Sequence, residues 1–128
     1  MNAIAAYRGQ FIADTVATAS PARLLTMLYD RLVRDLDDAE SAILLANPQA
    51  AHNALRHAQD IVSELSYSLD AGSWPGGEHL DSLYTWLLGQ LVTTNLTKDA
   101  SLLSGCREVV EPLREAWHEA ANAQSVAL

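Results

Sequence analysis

The sequence predicts an all-α protein: an antiparallel up-and-down four-helix bundle with an N-terminal arm or short extra helix. Three observations carry this prediction. Leucine and alanine recur at steps of three and four, the spacing of one helix face, while strand-like alternation is rare. The periodic stretches are separated by residues that start or stop helices. The links between them are short, which makes consecutive helices antiparallel neighbours. At 128 residues, 49% of them hydrophobic, the chain has the length of one domain and enough apolar surface for a core without metals or crosslinks.

Residues 1–19 carry scattered apolar side chains, Ile4, Tyr7, Phe11, Ile12 and Val16, interrupted by Gly9. They are assigned to an arm, or a short helix, lying over the bundle. The first bundle helix opens at Ser20-Pro21 and spans about 20–46. Serine accepts a bond from the open first-turn amides, and proline at the first helical position has no amide hydrogen to lose. Asn47-Pro48 repeats the device and starts a second helix over 48–69. Residues 70–77, Asp-Ala-Gly-Ser-Trp-Pro-Gly-Gly, form a loop of residues that helices reject. A third helix covers 78–97, and a fourth, capped by Asp99, covers 99–121, leaving 122–128 as a tail that frays. Pro112 lies inside the fourth, where it removes the hydrogen bond to the Glu108 carbonyl and predicts a solvent-side kink or a break.

Successive residues turn ~100° round a helix axis, so the apolar stripes predict the core. The second helix presents Ala51, Leu55, Ala58, Val62, Leu65 and Leu69, with Arg56, Asp60 and Glu64 outside. The fourth presents Leu102, Cys106, Val109, Leu113, Ala116 and Ala120, with Trp117 beside them. The third helix exceeds this pattern. Beside its core line, Leu80, Leu83, Leu87 and Leu91, runs a second ladder, Leu88, Val92 and Leu96. With Tyr84 these span roughly 200°, where one core face needs about 100°. The first helix is broad too, with Tyr29 and Val33 flanking Leu25, Leu28, Leu32, Leu36 and Ile43. Two arrangements account for the surplus: coverage by several neighbours or by the arm, or a surface that accepts a partner's helix or extended segment.

Sixteen acidic residues against eight basic give a net charge of -8, which disfavours nucleic acid and anionic lipid as partners. Cys106 is the single cysteine, so no intrachain disulfide can form, and it is expected to be a small buried apolar residue. No apolar run reaches the ~18–20 residues of a membrane span, and residues 1–8 lack the pattern of a signal peptide, so a cytosolic location is expected.

The bundle invites two chemical readings that the residues do not support. Glu115-x-x-His118 occurs once, whereas a di-iron bundle needs that pair twice with further inward glutamates. His52 and His57 lie on the polar side of the second helix, but neither is followed by the lysine and glycine of a phosphotransfer domain. Gly76-Gly77 has no lysine to make a phosphate loop. No enzyme, metal site or cofactor is expected.

Val16-Ala17-Thr18-Ala19-Ser20-Pro21 followed by Leu24-Leu25-Thr26-Met27-Leu28-Tyr29-Asp30 resembles the opening of the flagellar secretion chaperone (FliS) family, with Tyr7 in the place of its N-terminal tyrosine. Ala58 to Leu65, Ser68-Leu69-Asp70, Gly76-Gly77-Glu78, Leu83-Tyr84, Asn95-Leu96, Asp99 and Ala116-Trp117 follow in that family's order, so the similarity spans about 6–119. Arg31, Thr85, Thr94, the Trp74-Pro75 loop and Pro112 depart from the pattern.

The resemblance implies a cytosolic export chaperone. It would bind the disordered C-terminal segment of flagellin, prevent premature polymerisation and support delivery to an export-gate protein. Leu88, Val92 and Leu96 would then supply apolar contact, with Tyr84, Tyr29 and Val33 in the same partner-binding set. Asn95 would bond the cargo backbone, and Ile4, Tyr7 and Val16 would form a gating arm. Ser20 is read as a helix cap and Asp30 as a bonding partner near the helix start. The competing readings are a self-associating structural bundle, for which the broad stripe is a homodimer interface, and then a histidine phosphotransfer domain.

Overall fold

The computed structural model describes residues 21–73 and 75–127. The expected arm with Ile4, Tyr7 and Val16, and the cap Ser20, lie outside the described residues. Four helices follow one another: α1 is Pro21–Leu44, α2 Pro48–Ser68, α3 Gly77–Thr97 and α4 Leu102–Ala127. Each packs on its chain neighbours and α4 returns to α1, which closes a ring; the seam between α3 and α4 is the least extensive. The architecture is the expected four-helix bundle, without strands among the described residues.

Local chemistry explains where each helix stops. At the end of α1 the Asn47 amide donates to the Ala42 carbonyl (2.8 Å), and Ala46 takes a left-handed φ of 56°. The Asn47 side chain then accepts from the Ala50 amide (3.2 Å), and Pro48 opens α2. The two glycines before α3 serve different ends. Gly76 has a φ of 88°, a backbone region that side chains disfavour. Gly77 lies so close to Ala71 that a Cβ there would come within 2.9 Å of its carbonyl carbon. Lys98 ends α3 with a φ of 54°, its amide donating to Thr94 (2.7 Å). Asp99 does not start α4 directly. Its Oδ1 accepts from both the amide (3.0 Å) and the hydroxyl (2.6 Å) of Ser101, a local turn that delays the helix to Leu102.

The core runs through all four helices and is centred on Leu32, Leu36, Leu55, Ile61, Val62, Leu87, Leu91, Leu103, Cys106 and Val110. Two tyrosines cross it. Tyr29 on α1 and Tyr84 on α3 are buried, and their hydroxyls bond at 2.6 Å. Burial pushes both phenols up, so both stay neutral and one donates to the other. The buried threonines Thr26 and Thr94 satisfy their hydroxyls on the Arg23 and Gln90 carbonyls, each at 2.7 Å. Burial likewise pushes the Cys106 thiol up to about 11, against the opposing charge of Arg107, so it stays a protonated apolar side chain.

Charges lock α1 to its neighbours. Asp30 accepts from Arg114 (2.6 Å) and pairs with His118 (2.7 Å), and Arg107 pairs with Asp37 (2.5 Å) and Glu40 (3.7 Å). On the other side Asp35, only 2% exposed, bonds His57 (2.5 Å) and Arg31 (3.2 Å). Burial pushes the Asp35 carboxyl up, and the His57 and Arg31 contacts offset only part of that shift.

These clasps correct the expected core of the last helix. The buried line of α4 is Leu103, Cys106, Val110 and Ala121, with Leu113 and Trp117 packed against it; Ala116 is exposed and Leu102 and Ala120 are half-buried. Two apolar stripes compete on α4. The one that wins lets Arg107, Arg114 and His118 reach the carboxylates of α1. Glu64, expected outside, is buried on the α2 flank that faces α1, where Ser68 donates to it (3.1 Å). Pro112 does not break α4, because it sits on the exposed side and the helix continues to Ala127, beyond the expected end.

Two outcomes test this packing. Tyr29→Phe strands the buried Tyr84 hydroxyl and should cost roughly 1–2 kcal/mol in urea unfolding, while Tyr29→Phe with Tyr84→Phe should cost less than the sum of the singles; strict additivity would show that the two hydroxyls do not act together. For Asp30, burial opposes ionisation, but the His118 and Arg114 bonds outweigh it and hold the carboxyl below its ordinary value. A carboxyl depressed in the fold stabilises above its unfolded pKa, and that contribution disappears as pH falls through the folded value. Since Asp30 is half-exposed, screening keeps the effect under about 1 kcal/mol. Asp30→Asn should therefore lower Tm by a few degrees at neutral pH and change it little once the pH has fallen below the depressed folded value; an equal loss at both would refute the ionic clasp.

Candidate partner-binding surface

The core line of α3 is Leu80, Tyr84, Leu87, Leu91 and Thr94. About 100° round the axis lies the flank that faces α2. There Asp81 accepts from Ser66 (3.2 Å) and Asn95 meets His52. The ladder Leu88, Val92 and Leu96 runs along this flank and its outer margin. Leu88 is half-buried against the core, Val92 is 40% exposed and Leu96 81% exposed. The opposing edge of α2 is polar, with His52, Gln59, Ser63 and Ser66 recurring at helical spacing. An apolar ladder beside a rim of hydrogen-bonding side chains can bury a partner's hydrophobic residues and satisfy polar groups at its margin.

Asn95 is already engaged within the chain. Its Nδ2 lies 2.9 Å and its Oδ1 3.3 Å from His52 Nδ1, and the Oδ1 accepts from Lys98 Nζ (2.8 Å). Lys98 also bonds the Asn95 carbonyl. A partner backbone reaching Asn95 must exchange with His52 or Lys98 or use the remaining amide hydrogen.

The structure does not bring the whole expected set together. Tyr29 and Tyr84, expected to contact a partner, are core residues bonded to each other and present no surface. Their hydroxyls reach one another only because α1 and α3 are diagonal neighbours, which no single-helix periodicity reveals. Val33 is half-buried on the side of α1 whose Asp30 and Asp37 bond α4, so it lies across the bundle from the ladder. His57, read from spacing as a residue of the polar side, is tied to buried Asp35 at a cavity of about 460 Å³ lined also by Arg31, Asp38 and Asn53. That cavity is charged and opens between α1 and α2, away from the ladder.

Two exposed aromatics among the described residues lie outside the expected apolar stripes, Tyr67 near the end of α2 and Trp86 on α3. Trp86 is 42% exposed on the opposite flank of α3, where its ring lies against Gly105 of α4. Its position roughly 100° from the core line was readable, but the leucine ladder on the other flank drew the assignment. No described helix is long and apolar enough to cross a membrane.

Known proteins share this pattern. The profile of the family described as flagellar protein FliS matches residues 3–124. The flagellar secretion chaperone FliS of Bacillus subtilis is 26% identical over 87% of this chain and 83% of its own length. That of Salmonella typhimurium is 29% identical over 92% and 89%. The crystal structure of a flagellar chaperone from bacteria superposes with a TM-score of 0.75 at 18% identity, covering 95% of this chain and 99% of that one, a likeness of fold. With a family match across almost the whole chain and a bundle of the same architecture, the protein belongs to the FliS family of flagellar secretion chaperones.

Proposed function

We propose that this protein holds the C-terminal segment of flagellin in the cytosol, prevents its premature polymerisation and supports its delivery to the export gate. The observation that carries the reading is the exposed ladder of Val92 and Leu96, continued inward by Leu88, on a helix whose core line is already filled. Membership of a chaperone family, not an enzyme family, agrees with it, and implies a flagellar protein as partner. A disordered segment that folds against such a ladder gains apolar burial and loses part of that gain to its own ordering. Binding is then selective yet reversible, as export requires. Residues 1–19 act in this reading as an arm that gates the ladder through Ile4, Tyr7 and Val16.

Titration calorimetry with the C-terminal segment of the same organism's flagellin tests the reading. One segment should bind per chain. Val92→Ala and Leu88→Ala should each weaken binding by about five- to thirtyfold, the loss of a partly buried aliphatic contact. Unchanged affinity in both variants would retire the ladder as the site. No binding by the unaltered protein would retire the flagellin reading, and sedimentation would then show whether the ladder joins two copies.

A further inference from the structure

We infer that the seam between α3 and α4 is a second docking surface, one that takes a basic amphipathic helix of a partner protein. It lies on the flank of α3 opposite the Leu88 ladder and does not depend on the flagellin reading.

The first observation is how α4 is held. Its two ionic clasps, through Arg107 and through Arg114 with His118, both face α1. Among the described residues no ion pair joins α3 to α4, and their packing is the sparsest of the four seams. What lines the seam is apolar and partly open: Leu83 and Trp86 from α3, and Leu102, Gly105, Val109 and Ala116 from α4. The three larger α4 residues, at steps of seven, form the stripe that the ionic clasps rotated out of the core. A Cβ on Gly105 would stand 3.6 Å from Trp86 Cη2, so the ring lies across the open helix surface.

The second observation concerns charge. Bordering the stripe across Pro112, the outer ridge of α4 carries Glu108, Glu111, Glu115 and Glu119, all exposed and none in an ion pair among the described residues. Pro112 has no amide hydrogen, so the Glu108 carbonyl on that ridge lacks its usual helical donor. An apolar strip with acidic carboxylates along one edge matches a helix whose apolar stripe is flanked by lysine or arginine. A second copy of this chain is a poor occupant. A two-fold contact there would bring two unneutralised glutamate ridges together in a protein of net charge -8.

Calorimetry with two synthetic helical peptides of about 18 residues, long enough to span the seam, separates the outcomes. Both carry a leucine and alanine stripe; one is flanked by lysines and the other by glutamates. The lysine peptide should bind one per chain, more weakly as salt rises from ~50 to ~300 mM. The triple variant Glu108→Gln, Glu115→Gln, Glu119→Gln should bind it about tenfold more weakly, without loss of stability because all three side chains are exposed. Trp86→Ala should weaken it as well, whereas Val92→Glu should leave it unchanged. Equal binding of the glutamate peptide, no binding of the lysine peptide, or indifference to the triple variant would overturn the proposal. So would loss of binding with Val92→Glu alone, or sedimentation showing a dimer whose formation shields Trp86.

Discussion

Four helices packed in a ring can each turn about 100° of their circumference inward, and most of what distinguishes this protein follows from how that limit is met. α1 and α2 fill their inner faces with Leu32, Leu36 and Ala39, and with Ala51, Leu55, Ala58, Val62 and Leu65, and leave Leu44 and Tyr67 exposed near their C-terminal ends. α3 and α4 carry more apolar surface than the ring can absorb. On α3 the excess leaves Val92, Leu96 and Trp86 outside, and on α4 it leaves Leu102 half-buried and Ala116 exposed. The two helices with surplus are neighbours, and the seam between them is the thinnest in the bundle. Apolar side chains in excess of the core mark surfaces kept for partners.

Polar groups decide how the helices are rotated within that limit. Tyr29 and Tyr84 bridge the diagonal with a bond that gives the buried Tyr84 hydroxyl its partner, while Tyr29 also meets Trp117. Asp30, Asp37 and Glu40 on α1 draw the basic flank of α4 toward them, which selects the Leu103, Cys106 and Val110 line for burial. Each exposed pair is weak alone, and the clasps act together with Trp117, which this rotation packs against the core and bonds to Tyr29 while Ala116 stays exposed. Asp35 with His57 does the same between α1 and α2 in a drier setting, where an unpaired carboxylate would be far more costly.

A chaperone that releases its client needs contact surface without a deep pocket. The ladder on α3 lies on a solvent-facing flank, flanked by the polar edge of α2, and Asn95 and His52 already occupy one another there. In the proposed function, a client exchanging with those internal bonds would gain little net hydrogen-bond energy, so its affinity would rest on apolar burial and its orientation on the polar edge. The acidic ridge of α4 lies apart from this region, which keeps the two surfaces chemically distinct.

By itself the sequence determined the helices, their order and the breaks at Asn47-Pro48 and Gly76-Gly77, but not the two ends of α4. Asn47-Pro48 and Gly76-Gly77 act within a few residues of themselves, and local sterics and caps need no distant partner. It also determined that α3 is apolar beyond one face, because the angular spread of Leu88, Val92 and Leu96 is fixed by the helix itself. The family resemblance was legible in Ser20-Pro21 and in Leu28-Tyr29-Asp30 for the same reason. Tertiary structure alone decided which of two stripes on α4 is buried, since that choice belongs to carboxylates some seventy to ninety positions away in the chain. It moved Tyr29 and Tyr84 from the expected contact surface into the core, where the diagonal approach of α1 and α3 pairs their hydroxyls and Trp117 of α4 adds a bond to Tyr29. Periodicity assigns a residue to a face of its own helix; which neighbour that face meets is settled by packing and by pairing across the bundle.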